Sequence, residues 1–251
     1  MGQVASPTQQ RLPETAAVST QSSIEKAGKS IIERFDIIAQ RFPKQIAVQD
    51  SEQSLTYNAL SQLANQLACE FVQRIGKENE PVALLFEHTA LLIAAIVGVL
   101  KAGKAYVVLD PTNPPARLGA QLNELQSRLL LADHGHFPLA EQIAPTDTAI
   151  LLWAPHLDAM SAVQNPDIFL SADQPAALFF TSGSTGAPKA VARKQSTILH
   201  RVWWETKEDE LCADDRIALL YTCSYAASAN DLFCALLNGA RLCLYDIRKH
   251  G

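Results

Sequence analysis

The amino-acid sequence predicts an α/β domain built on a largely parallel sheet. Two patterns carry that prediction. Short unbroken apolar runs such as "PVALLFE", "AYVVLD", "RLLLA" and "AALFFT" read as strands buried on both faces. Between them lie longer stretches with apolar residues at helical spacing. Strands that alternate with helices pair in parallel, because a parallel pair needs a crossover, usually a helix. Composition agrees: 251 residues, 48% apolar and 19% charged, suffice for one large core or two small ones.

Residues 1–28 are rich in Gln, Ser, Thr and Ala and lack periodic apolar positions, so they read as a disordered leader before a domain over 29–251. "SIIERFDIIAQRF" sets Ile31, Ile32, Phe35, Ile38 and Phe42 on one helical face, and Pro43 ends that helix. "QIAVQD" and "SLTY" read as strands around a polar turn. Thr56 caps a helix running to about Ile75 and ended by Gly76. Then follow a strand at "PVALLFE", a helix over 88–102, a strand at "AYVVLD", a helix at "PPARLGAQLNEL" and a strand at "RLLLA". Residues 133–174 carry four prolines and predict a short helix near Leu139, a strand at "AILLW" and a long surface loop. "AALFFT" and "AVARK" are strands, and 195–208 is a helix. "RIALLY" is a strand, 231–238 a helix stopped by Gly239, and "ARLCLYD" a last strand.

Net charge is −5, which gives no support to a nucleic-acid partner. The longest apolar run, residues 90–100, is too short to span a bilayer and fits a buried helix. Five cysteines, at 69, 212, 223, 234 and 243, form no Cys-x-x-Cys pair; they read as small core residues of a reducing, cytoplasmic compartment. "MGQVAS" matches a myristoylation pattern without a polybasic flank and reads as a plain solvated tail.

The stretch "LFFTSGSTGAPKAV" places a Gly- and hydroxyl-rich turn directly after a buried strand. Gly183 and Gly186 let the backbone approach a ligand closely, and successive N–H groups in such a turn form an anion nest. Ser182, Ser184 and Thr185 add hydroxyl donors, Pro188 stiffens the exit, and Lys189 supplies a cation suited to phosphate. The spacing fits neither G-x-x-x-x-G-K-[ST] nor G-x-G-x-x-G.

The same stretch resembles the Y-T-S-G-[ST]-T-G-x-P-K-G loop of the adenylate-forming (AMP-binding) superfamily. "SLTYNAL", "LKAGKAYVVLDPTNPPARL" and "YAASANDLFCALLNGARL" resemble further motifs in the same order, the second typical of the nonribosomal peptide synthetase branch. The resemblance implies a layered αβαβα fold, mostly parallel sheets flanked by helices. It implies activation of a carboxylic acid by ATP with magnesium to an acyl-adenylate and pyrophosphate, then transfer to a thiol of a phosphopantetheine carrier protein or CoA. Phosphate contacts carry over to Thr181, Ser182, Gly183, Ser184, Thr185, Gly186 and Lys189, with Thr185 and Lys189 catalytic. Tyr225, Ala226, Ala227 and Asn230 fall where the family lines its acid pocket.

Several positions depart from the pattern. Ala226 stands where amino-acid-activating members carry the Asp that holds the substrate ammonium, which implies an aryl, hydroxy or keto acid instead. Asp231 reads as a first-turn helix residue rather than its replacement. Ala190 replaces the glycine after the loop lysine, Gln195 stands where the family often has His, and His200 reads as an ordinary helix residue. No stretch resembles the N-x-Y-G-P-T-E segment that stacks adenine and supplies a magnesium ligand. The chain is therefore expected to be the N-terminal part of an adenylation domain, truncated before its C-terminal half. The rest would lie on another chain or be lost to a truncated reading frame; the alternative is a non-catalytic remnant or interaction module.

Overall fold

The computed structural model describes residues 30–153, 155, 163–166, 168, 171–182 and 188–247, so the N-terminal leader lies outside the described residues. The chain opens with α1 (Ile31–Arg41), whose cap is the Ser30 hydroxyl accepting from the Glu33 N–H at 3.1 Å. Strands β1 (Ile46–Gln49) and β2 (Ser54–Thr56) follow, then α2 (Tyr57–Ile75) between its Thr56 cap and Gly76. Next come β3 (Pro81–Leu85), α3 (Ala90–Lys101), β4 (Ala105–Leu109), α4 (Pro115–Leu125) and β5 (Leu129–Ala132). The proline-bearing stretch holds α5 (Phe137–Ile143) and β6 (Ala149–Leu152). Then β7 (Pro175–Ser182), β8 (Pro188–Lys194), α6 (Gln195–Glu208), β9 (Arg216–Leu219), α7 (Ser228–Leu236) and β10 (Arg241–Leu244) follow.

The strands form two sheets. One runs β6-β5-β3-β4-β7-β8, parallel except for the β7–β8 hairpin; the other runs β2-β1-β10-β9, parallel except for β2. Helices α4 and α5 cover one face of the larger sheet around Leu85, Leu118, Leu122 and Leu130. Helices α2 and α3 fill the space between its other face and the smaller sheet, in a core that joins Leu84, Ile96, Val48 and Leu242. Helix α3 buries eleven of its twelve residues, so it has no solvent face to offer. Its one charged residue, Lys101, is buried at the end of the helix and pairs with Asp36 of α1 at 2.5 Å.

Two helix starts differ from the sequence reading. α3 begins at Ala90 rather than 88, because the Asp50 carboxylate, at the end of β1, accepts the Ala90 N–H at 2.7 Å. His88 lies before that start, its ring against the Leu219 carbonyl at 3.2 Å. α7 begins at Ser228 rather than 231: the Tyr225 carbonyl takes both the Ser228 hydroxyl at 2.6 Å and its N–H at 3.1 Å. That side-chain bond starts the helix three residues before the acidic residue that marks its first turn. Gly239 ends the region at φ +82°, where any Cβ would also stand 2.9 Å from the Phe42 ring.

Helices α2 and α3 approach most closely at Gly98. A Cβ there would lie 2.8 Å from the Leu67 Cβ and 3.2 Å from the Ala64 carbonyl. Gly98→Ala is therefore expected to destabilise by about 1–3 kcal/mol, as overpacking does. Gly119→Ala in α4, whose new Cβ would meet only the Ile143 carbonyl at 3.6 Å, serves as the control and is expected to be neutral or mildly stabilising. Thermal unfolding of both variants checks this; equal melting temperatures would contradict the packing argument.

Candidate active site

In open α/β sheets, ligands bind beyond the carboxyl ends of the parallel strands. Here the β7–β8 connection and the 220–227 segment leave the sheets at that end. β7 and β8 pair from Pro175 opposite Lys194 to Ser182 opposite Pro188. The pairing pins both ends of a five-residue connection, and the Thr181 hydroxyl donates to the Lys189 carbonyl at 3.4 Å. The connection itself, with Gly183, Ser184, Thr185 and Gly186, lies outside the described residues, as does the Ser182 side chain. Lys189 is exposed, and its ammonium has no ion pair among the described residues.

Strand alternation assigns β8 two faces. Ala190 packs with Leu178 and Phe180 on the α4 side. Lys189, Val191 and Arg193 take the other face, opposite Thr181, Phe179 and Ala177. Lys189 and Arg193 therefore share one face, about 13 Å apart at roughly 3.3 Å per residue. Arg193 reaches across to the second segment: one Nη donates to the Ala226 carbonyl at 2.7 Å, the other to Asn230 Oδ1 at 3.1 Å. Tyr225, Ala226 and Ala227 form an exposed shoulder, and Asn230 is half-buried. The strand that carries Lys189 and the segment that carries Ala226 and Asn230 are thus joined by an arginine that the sequence does not mark.

Below this face lies Tyr106, edge-on to Phe179 at 6.3 Å, with its phenol pushed up by burial. Asp231 stands in the first turn of α7, its carboxyl raised by burial and by Glu205. Gln195 is buried, and its side-chain oxygen accepts the Ile31 N–H at 3.1 Å.

A cleft of about 680 Å³ opens beside β1, β3, β5 and β10. Asp50, Glu52, Glu87, Asp133 and Asp246 line it, so its sign is wrong for a triphosphate. A smaller cleft of about 180 Å³ runs between Asp110, Pro111 and Thr112 on one sheet and Thr222 and Cys223 on the other. The Cys223 thiol is pushed up to about 12 by burial, so it stays protonated. Among the described residues no group of three His, Cys, Asp or Glu could hold a metal ion, and no helix is long and apolar enough to cross a membrane.

The profile of a family described as "AMP-binding enzyme" matches residues 35–250. The chain belongs to the AMP-binding enzyme family. Bacitracin synthase 3 of Bacillus licheniformis is 30% identical over 214 residues, which cover 85% of this chain and 3% of that protein. Tyrocidine synthase 3 of Brevibacillus parabrevis is 30% identical over 222 residues, 87% of this chain and 3% of that one. The N-terminal subdomain of Klebsiella oxytoca NpsA superposes with a TM-score of 0.76 at 26% identity, covering 87% of this chain and 55% of that one. The chain thus spans a small part of the synthases and about half of the NpsA subdomain. Its fold is that of the N-terminal part of nonribosomal peptide synthetase adenylation domains.

Within this AMP-binding fold, the acidic cleft owes its shape to two carboxylates that cap backbone. Asp50 accepts from Glu52 and Gln53 as well as Ala90. Asp133 accepts from the Glu87 N–H at 2.8 Å and from His136 through its N–H at 2.9 Å and its ring at 2.8 Å. Burial pushes the Asp133 carboxyl up, but these donors outweigh it and hold the group below the usual carboxylate range. A depressed folded value contributes stability above the unfolded value and loses it as pH falls through the folded one. Asp133→Asn is therefore expected to lower stability at neutral pH and to flatten the acid limb below about pH 4. Denaturant melts across pH 2–7 check this; parallel curves for the two proteins would remove Asp133 from that role.

Proposed function

We propose that the chain takes part in activating a carboxylic acid with ATP, giving an acyl-adenylate and pyrophosphate. A carboxylate oxygen of the acid attacks the α-phosphorus, and the bond from that phosphorus to the bridging oxygen breaks with its electrons leaving on pyrophosphate. The observation that carries this reading is the β7–β8 hairpin, which holds the S-G-S-T-G segment between paired residues and sets Lys189 on its exposed face. Lys189 would face the β- and γ-phosphates and take up charge as pyrophosphate leaves, with Thr185 and the loop N–H groups completing the cradle. Thr181, Ser182, Gly183, Ser184 and Gly186 would contact the same phosphates. Magnesium would be held mostly by the nucleotide's own phosphates; among the described residues no three His, Cys, Asp or Glu side chains are placed to hold a metal ion. The acyl group would then pass to a carrier-protein phosphopantetheine or CoA thiol. Support for a carrier comes from a similar structure, an artificially fused adenylation–PCP di-domain of NpsA and ThdA, at TM-score 0.76 and 26% identity.

Tyr225, Ala226, Ala227 and Asn230 would border the acid. Without a carboxylate at Ala226, an aryl, hydroxy or keto acid fits better than an α-amino acid.

Carboxylate-dependent exchange of pyrophosphate into ATP tests the reading. The 251 residues alone are expected to give no exchange, because no segment among them resembles the family's adenine-stacking motif. In a polypeptide, or a pair of chains, that does exchange, Lys189→Ala is expected to lower kcat/KM by about 10²-fold or more. An unchanged rate would remove Lys189 from its role, and turnover by the 251 residues alone would overturn the division of labour.

A further inference from the structure

The guanidinium of Arg193 lies where the phosphate-bearing strand meets the acid-bordering segment. It uses two of its five N–H donors on the Ala226 carbonyl and Asn230 Oδ1. Among the described residues the other three have no acceptor, and no carboxylate lies in ion-pair range of it. Asp231, which follows Asn230 in the chain, is raised by burial and by the like charge of Glu205, and makes no ion pair with Arg193 among the described residues. Arg193 is half-buried, so its charge is only partly screened. The groups that hold it are a backbone carbonyl and a neutral amide. Its positive charge is thus oriented but not neutralised.

We propose that Arg193 is the selectivity residue of the acid site, choosing acids that present an acceptor oxygen beside the reacting carboxylate and rejecting those that carry an ammonium there. The proposal rests on the adenylation reading and sharpens it. That oxygen can come from a 2-oxo group or from a second carboxylate; both accept from the free N–H groups. An ammonium has no lone pair to accept with and meets a like charge. Arg193 acts on substrate choice, while Lys189, about 13 Å along the same strand face, serves the phosphates.

The test compares acids of matched skeleton in the polypeptide, or pair of chains, that completes the adenylation domain around these residues. The probes are 4-methyl-2-oxopentanoate, leucine, 4-methylpentanoate and glutarate, each read by acid-dependent pyrophosphate exchange. The unmodified protein is expected to favour the oxo acid over leucine at least tenfold in kcat/KM, with the difference in KM. Activity with glutarate but not the oxo acid would assign the acceptor to a second carboxylate. Arg193→Gln, which keeps donors but not charge, is expected to shrink the preference to about threefold or less through KM, and Arg193→Lys to retain most of it. Asn230→Asp, which sets a carboxylate against an unchanged Arg193, is expected to shift preference towards leucine. It also keeps the test decisive if Arg193→Gln fails to fold. A purely structural role for Arg193 predicts equal losses for every acid, and that result, or a preference for leucine in the unmodified protein, overturns the proposal. Exchange with unaltered selectivity in the variants defeats this inference alone. Absence of exchange with any acid defeats the adenylation reading and the inference with it.

Discussion

Helix α3 has no polar face, and that constraint organises the molecule. Eleven buried positions on twelve residues cannot be satisfied by one sheet, which covers only one side of a helix. The chain therefore supplies a second sheet, and the smaller one closes over α2 and α3 through Val48 and Leu242. Polar groups at the two ends of α3 fix its position: Asp50 takes its first N–H, and Asp36 takes the ammonium of its last residue. The Lys101 ammonium is costly to bury, and burial pulls its proton affinity down, but the Asp36 carboxylate opposes that. Both partners sit on elements that the helix must touch, so the pair fixes register as well as charge.

A second consequence is electrostatic zoning. With the strands of both sheets running parallel around one helical layer, their carboxyl ends gather on one side of the molecule. Carboxylates following β1, β3, β5 and β10 cap backbone or line the cleft there. Cations appear on the one strand that breaks the parallel order of the larger sheet. β8 returns antiparallel from β7, so its residues can set a positive face beside the gathered ends without passing through the acidic cleft. The hairpin thus keeps Lys189 and Arg193 apart from the carboxylates of the acidic cleft.

Much of this was legible in the sequence. The bounds of α2 were visible because a hydroxyl cap and a glycine at φ +78° mark its ends, and both signals are local. The strands on either side of the S-G-S-T-G segment were legible because unbroken apolar or alternating runs mark them. What was hidden depended on contacts distant in sequence. β1 pairs with β10 across nearly the whole chain, at Val48 opposite Leu242, and no periodicity announces a partner that far away. The true start of α7 was hidden because Ser228 anchors backwards to Tyr225, whereas the acidic residue that signals a first turn comes later. Arg193 looked like the end of an unremarkable strand. Alternation from Lys189 would have put it on the same strand face as that lysine, but only the fold brings Ala226 and Asn230 within its reach.

The three cations of β8 are held differently, and the difference suits the tasks proposed for Lys189 and Arg193. The Arg193 end of the strand is locked. Gln195 donates its N–H to the Gln174 carbonyl at 3.0 Å and accepts from Ile31 at 3.1 Å through a buried side chain, and Lys194 pairs with Asp173 at 3.2 Å. That buried amide explains a glutamine at a position where the resemblance suggested histidine: it caps the first N–H of α1 and so ties the strand's end to a distant helix. Arg193 itself is clamped by a carbonyl and an amide. Lys189 is exposed, with no such clamp among the described residues. Discriminating one acid from another requires a charge fixed in direction, because selectivity is a difference between two bound geometries. Following a phosphate chain as pyrophosphate departs requires a charge that can move with it, and a four-carbon stem ending in a compact ammonium provides that. One strand thus carries a positioned cation at its anchored end and an adaptable one beside the loop, and the order of the two along β8 sets the direction in which acid and nucleotide would meet.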